Sequence, residues 1–217
     1  MGKVLYSLIL EEEIVREIDK LAFLTGRSRS SMINQILAER VNIVTPERRI
    51  KNTFDLLKNM ILGSRDLYLD SDSSEQVMSI KSALEYKYRP TIKYSLELYK
   101  ERSESIGEFK MSVRTQSEEL LQKIRDFLGL YIQIERVYLS EYFPEKVIYH
   151  SIEDNKFVRK FLLDGDKDYT DEKESKILYD YVETFDDMLK GYLSGKYNSM
   201  ESLENRYIKY LGSGEIV

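Results

Sequence analysis

The chain has 217 residues, 42% of them hydrophobic, and a formal net charge of −5, which is enough apolar material for one large domain or two unequal ones and too much for a disordered chain. With no cysteine and a single histidine, His150, it excludes a disulfide framework, a thiolate metal site and a cysteine nucleophile, and its acidity argues against a protein that simply coats nucleic acid. The longest early apolar run, Val4 to Leu10, is broken by Ser7 and followed by glutamates; it is too short for a secretory signal or a membrane span, so a cytoplasmic protein with no membrane partner is expected.

The first element is a strand, "KVLYSLIL" from Lys3 to Leu10, rich in strand formers and too short for a helix. Alternation puts Val4, Tyr6, Leu8 and Leu10 on one face and Lys3, Leu5, Ser7 and Ile9 on the other. A lone strand leaves its backbone groups unsatisfied and must pair with something. Glu11, Glu12 and Glu13 open a helix where carboxylates complement the dipole. Its apolar stripe is Ile14, Ile18, Leu21 and Ala22, and Gly26 stops it. Ser28 or Ser30 caps a second helix with the stripe Met32, Ile33, Ile36 and Leu37. Two short helices and one strand make too small a core to stand alone, so a second chain is expected.

The turn between those helices, "TGRSRSSMI", carries two arginines and no acid. Residues 27–51 hold six basic residues against two acidic ones, whereas the chain after residue 50 carries a net −6. Exposed amides at a helix start bind anions, and arginine forks fit phosphate oxygens.

The run of strand, "EEEIVREIDKLAFLTG" and "RSRSSMINQILAERV" resembles the ribbon-helix-helix domain of bacterial, archaeal and phage DNA-binding proteins, the group of the Arc and methionine repressors. The resemblance covers about a fifth of the chain and implies an intertwined dimer whose two strands form an antiparallel ribbon in the major groove of double-stranded DNA. It places Lys3, Leu5, Ser7 and Ile9 toward the bases. It puts Arg27, Ser28, Arg29 and Ser30 on phosphates. Tyr6, Leu8, Leu10, Ile14, Ile18, Leu21, Ile33, Ile36 and Leu37 fall in the dimer core. The chain departs from the pattern at Leu5 and Ile9, where such strands usually carry polar residues. Three arrangements fit that departure: the ribbon favours thymine-rich sites, another part of the protein covers it, or the domain only dimerises.

Thr45 and Pro46 end this domain, 1–44, and start a second one, 45–217. Ile50, Phe54, Leu57 and Ile61 mark a helix up to Gly63. After "DSDSSE", Val77, Ile80, Leu84 and Tyr88 predict another, closed by Pro90. "TIKYSLELYKE" and "EFKMSVR" alternate as two strands around "SESIG", a hairpin. A long helix is expected from Ser117 to Phe143, followed after Pro144 by a short extended piece and helices near Ile152 to Leu163, Asp171 to Leu193 and Met200 to Leu211. The expected fold is therefore mainly α (α+β): an N-terminal ribbon-helix-helix domain followed by a mostly helical domain with one β-hairpin.

No catalytic constellation, cofactor motif or metal site is read from the chain. "DGDKDYTDEKES", Asp164 to Ser175, starts like a calcium loop but has Tyr169 at the turn glycine and Ser175 at the bidentate glutamate. His150 has no second histidine and reads as a structural residue. The 17 tyrosines suit cores and interfaces, or a ligand pocket. The expected protein is a homodimeric or higher-order repressor from a prokaryote or phage, not an enzyme, with room for a small-molecule or protein effector on the second domain. The alternative is a scaffold, such as a partition adaptor, antitoxin or assembly subunit, that uses the first domain to dimerise; the patterned second domain disfavours the antitoxin branch.

Overall fold

The computed structural model describes residues 4–86, 90–103, 105–143, 147–153, 155–162, 169–212 and 216. Contacts divide the chain into Met1–Arg49 and Ile50–Val217. The division falls inside the helix that starts at Pro46, and within the N-terminal unit Arg48 Nη1 of its first turn lies 2.9 Å from Glu39.

In the N-terminal unit, α1 spans Glu12–Leu24 and α2 spans Arg29–Arg40. Glu12 and Glu13 occupy the first turn of α1, opposite the positive end of its dipole. Gly26, at φ +64°, turns the chain, and the Ser28 side chain accepts from the Ser31 amide at 3.2 Å to cap α2. Residues 4–10 form neither helix nor strand within the single chain.

The C-terminal unit contains, among the described residues, a six-stranded antiparallel sheet of order β1-β2-β3-β4-β6-β5. The strands are β1 Leu67–Leu69, β2 Val77–Ala83, β3 Thr91–Leu98, β4 Ser105–Val113, β5 His150–Glu153 and β6 Lys156–Leu162. The helices are α3 Pro46–Gly63, α4 Glu118–Tyr142, α5 Asp171–Ser194 and α6 Met200–Leu211. Alternate residues of the strands, such as Ile92, Tyr94 and Leu96 or Phe109, Met111 and Val113, are buried, so one face of the sheet lies in the core. Lys81, Lys93, Lys110 and Lys160, with Glu97 and Glu108, occupy the other face.

Phe185 of α5 is the hub of this core. Its ring centroid lies 4.9 Å from those of Phe109 and Tyr131, 5.6 Å from Phe127 and Phe157, 5.9 Å from Tyr94 and 6.4 Å from Tyr181. One ring thus joins β3, β4, β6, α4 and α5. Tyr94 also donates to Asp186 Oδ1 at 2.8 Å. Tyr94, Tyr131, Tyr181, Tyr207 and Tyr210 are core residues, which is the structural use of tyrosine.

The expected fold class is corrected: the unit is α+β with a substantial sheet, not a mostly helical domain with one hairpin. Two predicted helices are strands. The first, from Val77, is β2, whose buried positions include Met78, Ile80 and Ser82; buried Ser79 and Ser82 hide the alternation that apolar residues would display. Tyr88 lies outside the described residues. The second, predicted from Ile152 to Leu163, of which Leu163 lies outside the described residues, is the β5–β6 hairpin, turned at Asn155 with φ +61°. Its inward row is Phe157, Arg159 and Phe161, and a buried arginine in the middle of that row reads as a polar break.

Phe185→Ala should cost about 3–5 kcal/mol in urea unfolding, the range for large-to-small core changes. At Gly107, where the β4–β6 register shifts, a Cβ would stand 2.0 Å from the Glu97 carbonyl oxygen of the neighbouring β3. Gly107→Ala should therefore destabilise by about 1–3 kcal/mol. Asp70 is nearly closed to solvent, with Lys81 Nζ at 2.8 Å and Lys93 Nζ at 3.3 Å. The Lys81 hydrogen bond leads the effects that pull its carboxyl down to about 2. Its unfolded value is about 3.9, so its stabilisation is present above about pH 4 and lost as pH falls toward 2. Asp70→Asn should flatten that part of an acid-unfolding profile.

Candidate nucleic-acid interface

The cationic turn sits at the start of α2. Arg29 forks onto Asp19 of α1, with Nε to Oδ1 and Nη2 to Oδ2 both at 2.5 Å. That hydrogen bonding holds the Asp19 carboxyl below its usual value and raises Arg29. Arg27 donates through Nη1 to Gln35 Oε1. Ser28 is the cap, and Ser30 lies exposed in the first turn of α2. The structure thus brings Arg27, Ser28, Arg29 and Ser30 together at one helix start. The arginines also brace the α1–α2 corner, a role that the sequence does not reveal because Asp19 lies ten residues away. An exposed ion pair of this kind adds little stability in water, and a phosphate oxygen competes for the same fork.

Of the residues placed in a dimer core, Ile18 is buried and Ile33 packs beside it, in a cluster with Ala22 and Met32. Tyr6, Leu8, Leu10, Ile14, Leu21, Ile36 and Leu37 are exposed in the single chain. Leu5, Ser7 and Ile9 are exposed as well; Lys3 lies outside the described residues. The N-terminal unit therefore presents an apolar surface that it does not cover by itself.

Sequence reasoning missed a buried polar cluster in the C-terminal unit. Glu135 of α4 is fully buried, with His150 Nε2 of β5 at 2.5 Å and Arg159 Nε of β6 at 3.4 Å. Tyr207 and Tyr131 donate to its Oε1 at 3.3 and 3.4 Å. Burial pushes the Glu135 carboxyl up, but Arg159 and the His150 hydrogen bond outweigh it and leave it below the ordinary value. Burial, then the Glu135 charge, pushes Tyr131 and Tyr207 well up, so both remain protonated donors. The Arg159 guanidinium also lies 5.1 Å from the Tyr181 ring centroid and 5.3 Å from that of Phe161. Glu135, His150 and Arg159 are closed to solvent, so the cluster fastens β5 and β6 to α4 and α6. His150 is accordingly a structural histidine.

Among the described residues, no group of three or more His, Asp or Glu is placed to hold a metal ion. The opening residues of the calcium-like loop, Asp164 to Asp168, lie outside the described residues. No helix among the described residues is long and apolar enough to cross a membrane. The sequence matches no family model, and no curated protein or solved structure is significantly similar to it.

Glu135→Gln leaves Arg159 in the core without its counter-charge and should cost about 3–5 kcal/mol in urea unfolding at neutral pH. Because the folded Glu135 is depressed, the wild-type advantage should persist above the ordinary carboxylate range and disappear as pH falls through the folded value.

Proposed function

We propose that the protein is a dimeric, sequence-selective DNA-binding protein, a transcriptional repressor, in which the 3–10 segments of two copies pair antiparallel into a ribbon for the major groove. The observation that carries this reading is the pairing of two features in one small unit. Residues 4–10 alternate as a strand yet have no strand partner in the single chain, and the α1–α2 corner beside them in sequence holds two arginines at a helix start. A second copy satisfies the backbone of the first feature and covers Leu8, Leu10, Ile14, Leu21, Ile36 and Leu37. Phosphates suit the second.

Charge supports the division of labour. The N-terminal unit carries +1 and the C-terminal unit −6, so duplex DNA is attracted to the first and repelled by the second. The C-terminal unit then sets assembly order or senses a small-molecule or protein effector. A scaffold reading, with the N-terminal unit as a dimerisation device, draws on the apolar character of Leu5 and Ile9. Leu5→Thr with Ile9→Thr separates the two: lost protein partnering with unchanged DNA affinity favours the scaffold.

With two arginines from each protomer on phosphates, log affinity against log salt should fall with a slope of about −4. Arg27→Ala with Arg29→Ala should weaken binding to every duplex and bring the slope close to zero. An unchanged slope in that variant, measured by fluorescence anisotropy, contradicts the assignment.

A further inference from the structure

Leu5 and Ile9 are the most exposed large hydrophobic side chains among the described residues, at 96% and 103%, while Leu8 and Leu10 on either side of Ile9 are at 51% and 37%. Val4 and Tyr6 on the opposite face are exposed too, at 89% and 80%, so the whole segment is open to a partner and Leu5 and Ile9 are its least covered side chains.

A symmetric antiparallel pairing with a second copy, centred on Ser7 as the middle of the outward positions Leu5, Ser7 and Ile9, keeps each face of the strand together. It sets Val4 opposite Leu10, Leu5 opposite Ile9 and Tyr6 opposite Leu8, with Ser7 on the two-fold axis. The outward face then consists of two Leu5–Ile9 pairs flanking two serines. Four residues of strand separate the apolar pairs, about 13 Å, the length of about four base-pair steps at 3.4 Å each. Leucine and isoleucine have no donor or acceptor, so they read no hydrogen-bonding edge of a base. The apolar group that the major groove offers is the C5 methyl of thymine. A cationic corner belongs to the same unit, with five basic residues against two acidic over 27–49, which matches duplex DNA better than an apolar protein groove.

We infer that this face reads thymine methyl groups, and that the operator is a two-fold-symmetric site with thymine on each side of its centre, about four base pairs apart. The inference rests on the DNA-binding reading above and specifies what that ribbon selects. Ser7, on the axis, contributes a hydroxyl that both donates and accepts and so tolerates more than one central base pair.

The test uses the full chain and a random-duplex pool, from which the retained duplexes are sequenced. A retained duplex is then synthesised with thymine or with deoxyuridine, which pairs identically and carries the same charge but lacks the methyl. One contacted methyl corresponds to about a fourfold change in affinity, so replacement on both sides of the centre should weaken binding about 15-fold with the salt slope unchanged. Leu5→Ala with Ile9→Ala should make the thymine and deoxyuridine duplexes equivalent while mass measurement still finds a dimer. Equal affinity of the wild-type protein for both duplexes, with a slope near −4, overturns methyl reading and leaves DNA binding standing. Retention of no duplex at low salt overturns DNA binding and this inference with it. The deoxyuridine comparison needs no variant, so a poorly folding double replacement does not decide the outcome.

Discussion

Two helices of 13 and 12 residues that bury Ile18, Ala22, Met32 and Ala38 do not make a stable unit in water. Such a core is far below what a small domain needs to offset its conformational entropy. The surface left over is patterned rather than random: Ile14 and Leu21 continue the α1 stripe, and Ile36 and Leu37 continue that of α2. A strand-patterned segment with unpaired backbone precedes them. Completion by a second copy answers the missing core and the missing strand partner together, and the functional account depends on that constraint.

The C-terminal unit has no such deficit. Phe185 gathers rings from three strands and two helices. The buried Glu135 then locks the β5–β6 hairpin to α4 and α6. Buried polar contacts of this kind raise stability less than they restrict the alternatives, since an arginine in the core tolerates only the arrangement that brings its carboxylate. The net −6 of this unit disfavours its lying on DNA itself, which suits the division of labour proposed above.

The legible elements are those whose pattern is stated by apolar residues alone. The helices α3, α4, α5 and α6 were placed by their stripes and by Thr45, Ser117 and Gly63, and the β3–β4 hairpin by its uninterrupted alternation. The hidden elements put polar side chains inward: Ser79 and Ser82 in β2 and Arg159 in β6. Single-chain patterning counts such residues as exposed, and so the two segments read as helices. Asn155, a residue type that tolerates the left-handed conformation it adopts here, was the available sequence signal for the second hairpin. At the interface, Arg27 and Arg29 were legible because no acid shares their turn. Their partners Gln35 and Asp19 were not, because a helix corner brings together residues eight and ten positions apart. Glu135 was one glutamate among many, and no local spacing marks a carboxylate whose partners come from β5, β6 and α6.

The most direct measurement of the central claim is residue-resolved hydrogen exchange of the full chain across a range of protein concentrations. The account predicts that alternate amides within residues 4–10 become protected as concentration rises, together with α1 and α2, and lose protection on dilution while the β3 and β4 amides stay protected throughout. Amides at 4–10 that exchange freely at every concentration, with α1 and α2 protected even in the dilute monomer, would contradict the claim that this unit is completed by a second copy.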